Sequence, residues 1–137
     1  MRAACGFFLI SLLSSVDAVA ADYSVSYAFD VGGVRDWGKV ACEYKSPCKI
    51  DSRPLKLSIA LSFANPNHRD VTIGISGEEE EGRLGCCYFP DGVDEVIRNV
   101  RDLPIRLYVY AGQRPSKNEF PLREPLGILY LQLLDVK

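Results

Sequence analysis

Two alternating apolar–polar runs separated by a turn, between Leu55 and Gly77, constrain the fold of this chain more than any other feature. In the first run, apolar side chains occupy every second position from Leu55 to Phe63, which is the period of a strand with one buried face. Asn65-Pro66-Asn67 then provides residues that favour a turn. Val71, Ile73 and Ile75 resume the alternation. The pattern predicts an antiparallel hairpin at the centre of a β domain.

The rest of the chain supplies further strand patterns, separated by turn signals. They lie at Tyr23–Val31, around Val40–Tyr44, at Leu84–Phe89, at Ile105–Val109 and at Leu126–Val136. About seven short strands predict an all-β fold, an antiparallel two-sheet sandwich of immunoglobulin-like or Greek-key type. A small closed barrel is the alternative, because alternation along the strands does not separate the two architectures.

One segment, residues 93–101, has a different periodicity. Its apolar residues Val93, Val96, Ile97 and Val100 recur at helical spacing. Acidic residues come early and arginines late, as the helix dipole prefers. The β-branched content favours a strand instead. We expect a short helix here, crossing one end of the sheets.

The first twenty residues have the composition of an export signal. Arg2 provides a positive charge, residues 7–13 are apolar, and Ala18-Val19-Ala20 is a small-x-small cleavage site. The apolar run is too short to cross a bilayer as a helix. We therefore expect residues 1–20 to be a cleaved signal peptide, with a mature chain in the periplasm or outside the cell. Residues 21–137 have the length of a single domain.

Charge and motif content narrow the choice of partners. The formal net charge is −2, and the chain has no cluster of lysines and arginines. Such a chain is a poor match for nucleic acid or for an anionic membrane surface. Phosphate-binding loops and dinucleotide motifs are absent from the sequence. We expect no nucleic-acid partner, no membrane span and no cofactor.

Four cysteines remain after the predicted cleavage: Cys42, Cys48, Cys86 and Cys87. An even number in an exported chain predicts disulfides, and the spacing does not match common zinc sites. Neighbours on a strand point to opposite faces, so Cys86 and Cys87 would each bond to a different cysteine of the 42–48 segment. This long-range pairing closes large loops and is favoured. The alternative joins Cys42 to Cys48 and makes a vicinal bridge of the other two.

Candidate catalytic groups are few. His68 lies in a predicted turn with Asp70 close by, and Glu78–Glu81 is a run of four acidic residues. A nucleophile motif is missing, and consecutive glutamates on a loop are usually solvated. A calcium site at Glu78–Glu81 would lack the spacing of an EF-hand loop. We therefore assign no catalytic, cofactor-binding or metal-binding residue.

The last predicted strand is apolar on both faces. Leu129, Leu131 and Leu133 form one face, and Ile128, Tyr130, Leu134 and Val136 make the other mostly apolar. A strand of an antiparallel sandwich usually exposes one face to water. The second face therefore requires a cover, supplied by the candidate helix, by the 111–125 loop or by another protein.

Cover by the chain itself, through the candidate helix or the loop, is the favoured interpretation. The alternative is a partner protein that contacts a surface of Tyr108, Tyr110 and Tyr130. Tyrosine is favoured in binding patches. The partner is an unknown protein or envelope component, or a second copy that forms a homodimer through the last strand.

These features predict a small exported, disulfide-bonded binding or inhibitor-type module that acts through protein–protein or envelope contact. One alternative is a small secreted hydrolase or metal-dependent enzyme that uses His68 and the acidic loop. The other is a structural component of the envelope. The binding interpretation follows from the missing catalytic set together with the two-faced apolar strand.

Overall fold

The alternation of side chains is realised as eight strands in the computed structural model, which describes residues 20–81, 83–102, 104–114 and 123–137. The strands are β1 Tyr23–Val31, β2 Val34–Cys42, β3 Cys48–Ser52, β4 Leu57–Phe63, β5 Asp70–Gly77, β6 Glu95–Asn99, β7 Ile105–Val109 and β8 Gly127–Leu134. A first sheet has the order β2-β1-β8-β7, and a second sheet has the order β3-β4-β5-β6. All neighbouring strands are antiparallel. The predicted two-sheet sandwich is confirmed.

The predicted hairpin of β4 and β5 forms the centre of the second sheet. Ile59 lies opposite Ile75 and Leu61 lies opposite Ile73, so that the apolar rows of both strands share one face. These four side chains are buried. The hairpin therefore supplies one wall of the core.

The first sheet brings the two ends of the described chain together. β1 and β2 are joined by Gly32 and Gly33, which have φ of 61° and 77°. Positive φ at both positions suits the two-residue turns that join twisted strands, and glycine adopts it without steric cost. β8 lies between β1 and β7, so hydrogen bonds to neighbouring strands occupy both of its edges.

The core lies between the two sheets. Buried side chains of β1, β7 and β8 face those of β3, β4 and β5. They include Val25, Phe29, Leu107, Leu129 and Leu131 from the first sheet, and Ile50, Ile59, Leu61, Val71 and Ile73 from the second. Burial of these apolar rows on both inner faces is what holds a sandwich together.

The expected helix at 93–101 was wrong. Residues Glu95–Asn99 form β6, which pairs with β5 and places Val96 opposite Ile73. Ile97 points outward and is 64% exposed. The β-branched side chains suit a pleated strand, and pairing with β5 outweighs the apparent helical spacing. The short 3-10 turn at Pro90–Gly92 precedes β6 instead.

The strand expected at Leu84–Phe89 was also wrong. Residues 78–81 and 83–94 lie in an excursion between β5 and β6, in which the strand-type pairing is limited to two single bridges, Tyr88 to Tyr110 and Phe89 to Val93. Gly85 has a φ of 68°, which interrupts the extended backbone. Tyr88 and Phe89 are fully buried, so these two side chains anchor the excursion to the rest of the domain.

The four cysteines form two local pairs, so the preference for long-range pairing was wrong. Cys42 is paired with Cys48 across the passage from β2 to β3, with Cα atoms 5.4 Å apart, and Cys86 is paired with Cys87. Both sulfur atoms of the second pair lie against Gly77, which is opposite Leu57 on β4. Cys48 is opposite Leu61, about 13 Å further along the same strand. The Cα atoms of bonded cysteines are usually under about 7 Å apart, so the two pairs do not exchange partners.

A tryptic map without reduction is expected to reproduce this pairing. Peptides 40–45 and 46–49 should appear as one linked species, because trypsin cuts between the first two cysteines. Peptide 84–98 should appear alone, lighter by two hydrogen atoms than its reduced form. A species that links peptide 84–98 to either of the others would contradict the structure, and a fully reduced sample is the control.

Two expectations fall on parts of the chain that the structure does not describe. The predicted signal peptide, residues 1–20, lies outside the described residues except for Ala20, and most of the 111–125 loop lies outside them as well. Both stay predictions. No helix within the described ranges is long and apolar enough to cross a membrane.

Candidate binding surface on the first sheet

The two outer faces of the sandwich differ in character. The second sheet presents small and polar side chains along its central strands, namely Ser58, Ala60 and Ser62 of β4 with Thr72, Gly74 and Ser76 of β5. Such a face is typical of a sheet that contacts water. The outer face of the first sheet carries tryptophan, tyrosine and arginine instead, which makes it the candidate functional surface.

Strand register aligns four residues of the first sheet in one row. Ala28 of β1 lies opposite Trp37 of β2 and also opposite Tyr130 of β8. Arg106 of β7 lies opposite Tyr130 on its other side. Directly paired residues of antiparallel strands share a face. These side chains therefore form one row across all four strands, in the order Trp37, Ala28, Tyr130 and Arg106.

The small side chain in this row leaves a cleft between two aromatic ones. A cavity of about 390 Å³ opens there, lined by Ala28, Phe29, Asp30, Arg35, Asp36, Trp37, Ile128 and Tyr130. Trp37 is 74% exposed, although it lies on a regular strand. The guanidinium of Arg106 lies over the Tyr130 ring, 5.6 Å from its centroid, and supports that ring from the side away from Ala28. The cleft thus has aromatic sides and an alanine floor.

A second row borders the cleft. It consists of four residues side by side, one from each strand: Arg35 of β2, Asp30 of β1, Ile128 of β8 and Tyr108 of β7. Arg35 Nε donates a hydrogen bond to Asp30 Oδ2 at 2.8 Å, and both side chains stay accessible. An exposed ion pair of this kind contributes little to stability. The donor groups of Arg35 and the acceptor carboxylate of Asp30 remain available to a ligand in the cleft.

The predicted tyrosine surface is brought together only in part. Tyr108 and Tyr130 share the outer face, and Tyr108 is 44% exposed. Tyr110 is only 8% exposed and stacks on Tyr88 with ring centroids 6.1 Å apart. Burial raises the pKa of the Tyr110 hydroxyl. Tyr110 therefore belongs to the anchor of the excursion.

Trp37 is the residue of this candidate surface that the sequence analysis did not identify. It lies inside β2, between the exposed positions 35 and 39. The signal that could have found it is the alternation Arg35, Trp37, Lys39, which matches a solvent face except at the tryptophan.

One of the elements expected to cover the last strand does not do so, and the 111–125 loop lies mostly outside the described residues, so its part of the expectation stays a prediction. The segment expected as a helix is β6 of the other sheet. Gln132 and Tyr108 are exposed on the same outer face, and Tyr130 is half-buried. β8 has no unpaired edge, so a homodimer through the last strand would have to use this face and not an added strand.

His68 and the acidic loop lie at opposite ends of β5, separated by a strand about 23 Å long. The His68 ring stacks on Tyr44 with centroids 3.5 Å apart, and its Nδ1 is 2.9 Å from the carbonyl oxygen of Lys137. Glu80 pairs with Lys56, which raises the pKa of that lysine. The groups of the enzyme alternative are therefore not assembled into one site.

The aromatic cluster around His68 is part of the packing at this end of the sandwich. Tyr23 contacts Tyr44 and Phe63, at centroid distances of 5.2 and 5.3 Å. Burial raises the pKa of Tyr23 to about 12, with smaller contributions from Tyr44 and Asp22. Within the described ranges, no group of three or more His, Cys, Asp or Glu residues is arranged to hold a metal ion.

No family model, no curated protein and no solved structure matches this chain.

Proposed function

We propose that the mature chain is an exported, non-enzymatic binding module and that its contact surface is the outer face of the first sheet. The observation that carries the proposal is Trp37, which is 74% exposed at the edge of an aromatic cleft. Tryptophan, tyrosine and arginine are the residue types that contribute most to binding energy at interfaces. All three types are present in the single row that crosses this sheet.

The scaffold beneath the surface supports this proposal. The contact residues lie on hydrogen-bonded strands, and Ala28 and Tyr130 belong to the two central strands of the sheet. Side chains on regular elements are held more precisely than side chains on loops. A surface of this kind loses little conformational freedom on binding, which is the cost that most weakens association.

Export is part of the proposal and has two supports. One is the predicted signal peptide at residues 1–20. The other is the cysteine pairing, because disulfides persist in oxidising compartments such as the periplasm and the extracellular space. The partner is then a component of the cell envelope or of the extracellular medium.

Cosedimentation with an envelope fraction of the producing cells tests the proposed surface. The chain 21–137 is expected to bind in a saturable way, and the double variant Trp37→Ala/Tyr130→Ala should bind at least tenfold more weakly. Lys39→Ala/Gln132→Ala alters the same face outside the cleft and should bind like the parent chain.

Equal binding by parent and Trp37→Ala/Tyr130→Ala would contradict the proposed surface. The urea midpoint of each variant shows whether the domain is still folded. Trp37 is exposed and Tyr130 is half-buried, so a loss of binding without a large loss of stability is the expected combination.

A further inference from the structure

We propose that the cleft between Trp37 and Tyr130 binds pyranose rings of a neutral polysaccharide that runs across the strands of the first sheet. This inference rests on the proposed function, because it names the ligand class of the same surface. It follows from three properties of the cleft: the spacing of its aromatic rings, its pair of charged groups, and the absence of free backbone groups at its floor.

The spacing of the aromatic residues suits an extended chain of rings. Trp37 and Tyr130 lie two strands apart, which is about 9.6 Å between their backbones. Tyr108 lies on the next strand, at the diagonal position from Tyr130. The three aromatic residues therefore cross about 14 Å of the sheet at a steep angle to the strands. Consecutive sugar rings of an oligosaccharide follow such a track.

The chemistry of the cleft matches the two surfaces of a pyranose. One face of the sugar ring presents C–H groups, which carry partial positive charge and are attracted to the negative face of an aromatic ring. Trp37 offers a largely exposed ring for this contact, and Tyr130 is already supported on one side by Arg106. The cavity of about 390 Å³ has the size of a small-ligand pocket.

The hydroxyl groups around a sugar ring both donate and accept hydrogen bonds, so a site for them needs a donor and an acceptor side by side. Asp30 accepts and Arg35 donates, and their 2.8 Å pair stands at the border of the cleft. Because the two charges neutralise each other, the pair favours neither an anionic nor a cationic ligand. The third charged residue of the lining, Asp36, accepts a hydrogen bond from the Ser52 hydroxyl at 2.6 Å. A neutral polyol can hydrogen-bond to both Asp30 and Arg35 without separating them.

A peptide is a poorer match for the same position. Ala28 and Tyr130 lie on β1 and β8, whose backbone groups are already paired with strands on both sides. A peptide that crossed these strands would find no backbone partners, whereas peptides gain most of their affinity for sheets by adding to an edge strand. Hydroxyl groups do not depend on backbone pairing.

Fluorescence of Trp37 provides a direct test, because it is the only tryptophan of the chain. The chain 21–137 is titrated with cellohexaose, with chitohexaose, with maltohexaose and with a proline-rich peptide. At least one of the oligosaccharides is expected to give a saturable blue shift of the emission. Tyr130→Ala should weaken that binding at least tenfold, and Lys39→Ala should leave it unchanged.

The outcomes separate this inference from the proposed function. If no oligosaccharide shifts the emission while envelope binding still depends on Trp37, the surface binds a different class of ligand and the inference is wrong. A response to the proline-rich peptide alone would assign the cleft to peptides and would also overturn it. If neither oligosaccharide binding nor envelope binding depends on Trp37 and Tyr130, the proposed function fails as well.

Discussion

Replacing Tyr88 by alanine is expected to lower the free energy of unfolding by about 4 kcal/mol, because the substitution removes a fully buried aromatic side chain. The ring stacks on Tyr110, and the backbones of the two residues exchange hydrogen bonds of 3.0 and 2.8 Å. Arg123 Nη1 donates to the Tyr88 hydroxyl at 2.8 Å and would lose that acceptor. The substitution thus leaves a cavity and removes a partner from a half-buried cation.

Urea denaturation of the parent and variant chains measures this effect. Tyr108→Ala is the matched control, because Tyr108 is 44% exposed on the neighbouring strand. This substitution should change the free energy of unfolding by no more than about 1 kcal/mol. Tyr88→Phe keeps the ring and should lower the free energy of unfolding by only about 1 kcal/mol. This variant separates the contribution of the hydroxyl hydrogen bonds from that of the buried ring. A loss below about 1 kcal/mol for Tyr88→Ala would mean that the excursion at residues 78–94 is not anchored by this residue.

The strands that were predicted correctly have patterns that can be read locally. Tyr23–Val31 and Leu57–Phe63 alternate apolar and polar residues over seven or more positions. A period of two over that length is typical of strands and not of helices, so the all-β class follows from the sequence. The choice of a sandwich over a closed barrel does not follow from the alternation. Both strands bury most of the residues that the alternation selected, and Tyr27 and Phe63 are partly buried.

The errors arose where contacts between distant residues decide the structure. Glu95–Asn99 is only five residues long, and its β-branched residues also fit a helical spacing; pairing with β5 resolves the ambiguity. The run at 84–89 does not form a strand, although Cys87, Tyr88 and Phe89 are buried, because its strand-type pairing with Tyr110 and Val93 is limited to single positions. Disulfide partners depend on which strand ends lie close together, which alternation does not encode.

The candidate surface was found only in part for the same reason. Tyr108 and Tyr130 were recognised as outward-facing because their own strands alternate. The cleft requires in addition that Trp37 and Tyr130 both lie opposite Ala28. That alignment is a property of register between strands, and a shift by one residue would turn each side chain to the other face. The hydrophobic pattern excludes that shift but not a shift by two residues, so it does not by itself place Trp37 and Tyr130 in one row.

Gly127→Ala tests this register and is expected to destabilise the domain by about 3 kcal/mol. Gly127 begins β8 opposite Val31 of β1. A Cβ atom at this position would overlap the carbonyl oxygen of Asp30 and lie 2.5 Å from the Cα of Val31. Both are backbone atoms of a paired strand, so neither can rotate away and β8 would have to shift.

Gly74→Ala is the control within the same fold, because Gly74 also lies inside a strand. A Cβ there would lie 3.6 Å from the Cγ of Glu95, an ordinary contact. Alanine should be neutral or stabilising by about 0.5 kcal/mol, since glycine weakens a strand interior. If Gly127→Ala were tolerated as well as Gly74→Ala in urea denaturation, β8 would not approach β1 as described. The row of Trp37, Ala28 and Tyr130 would then not be aligned, and the binding cleft would lose its structural basis.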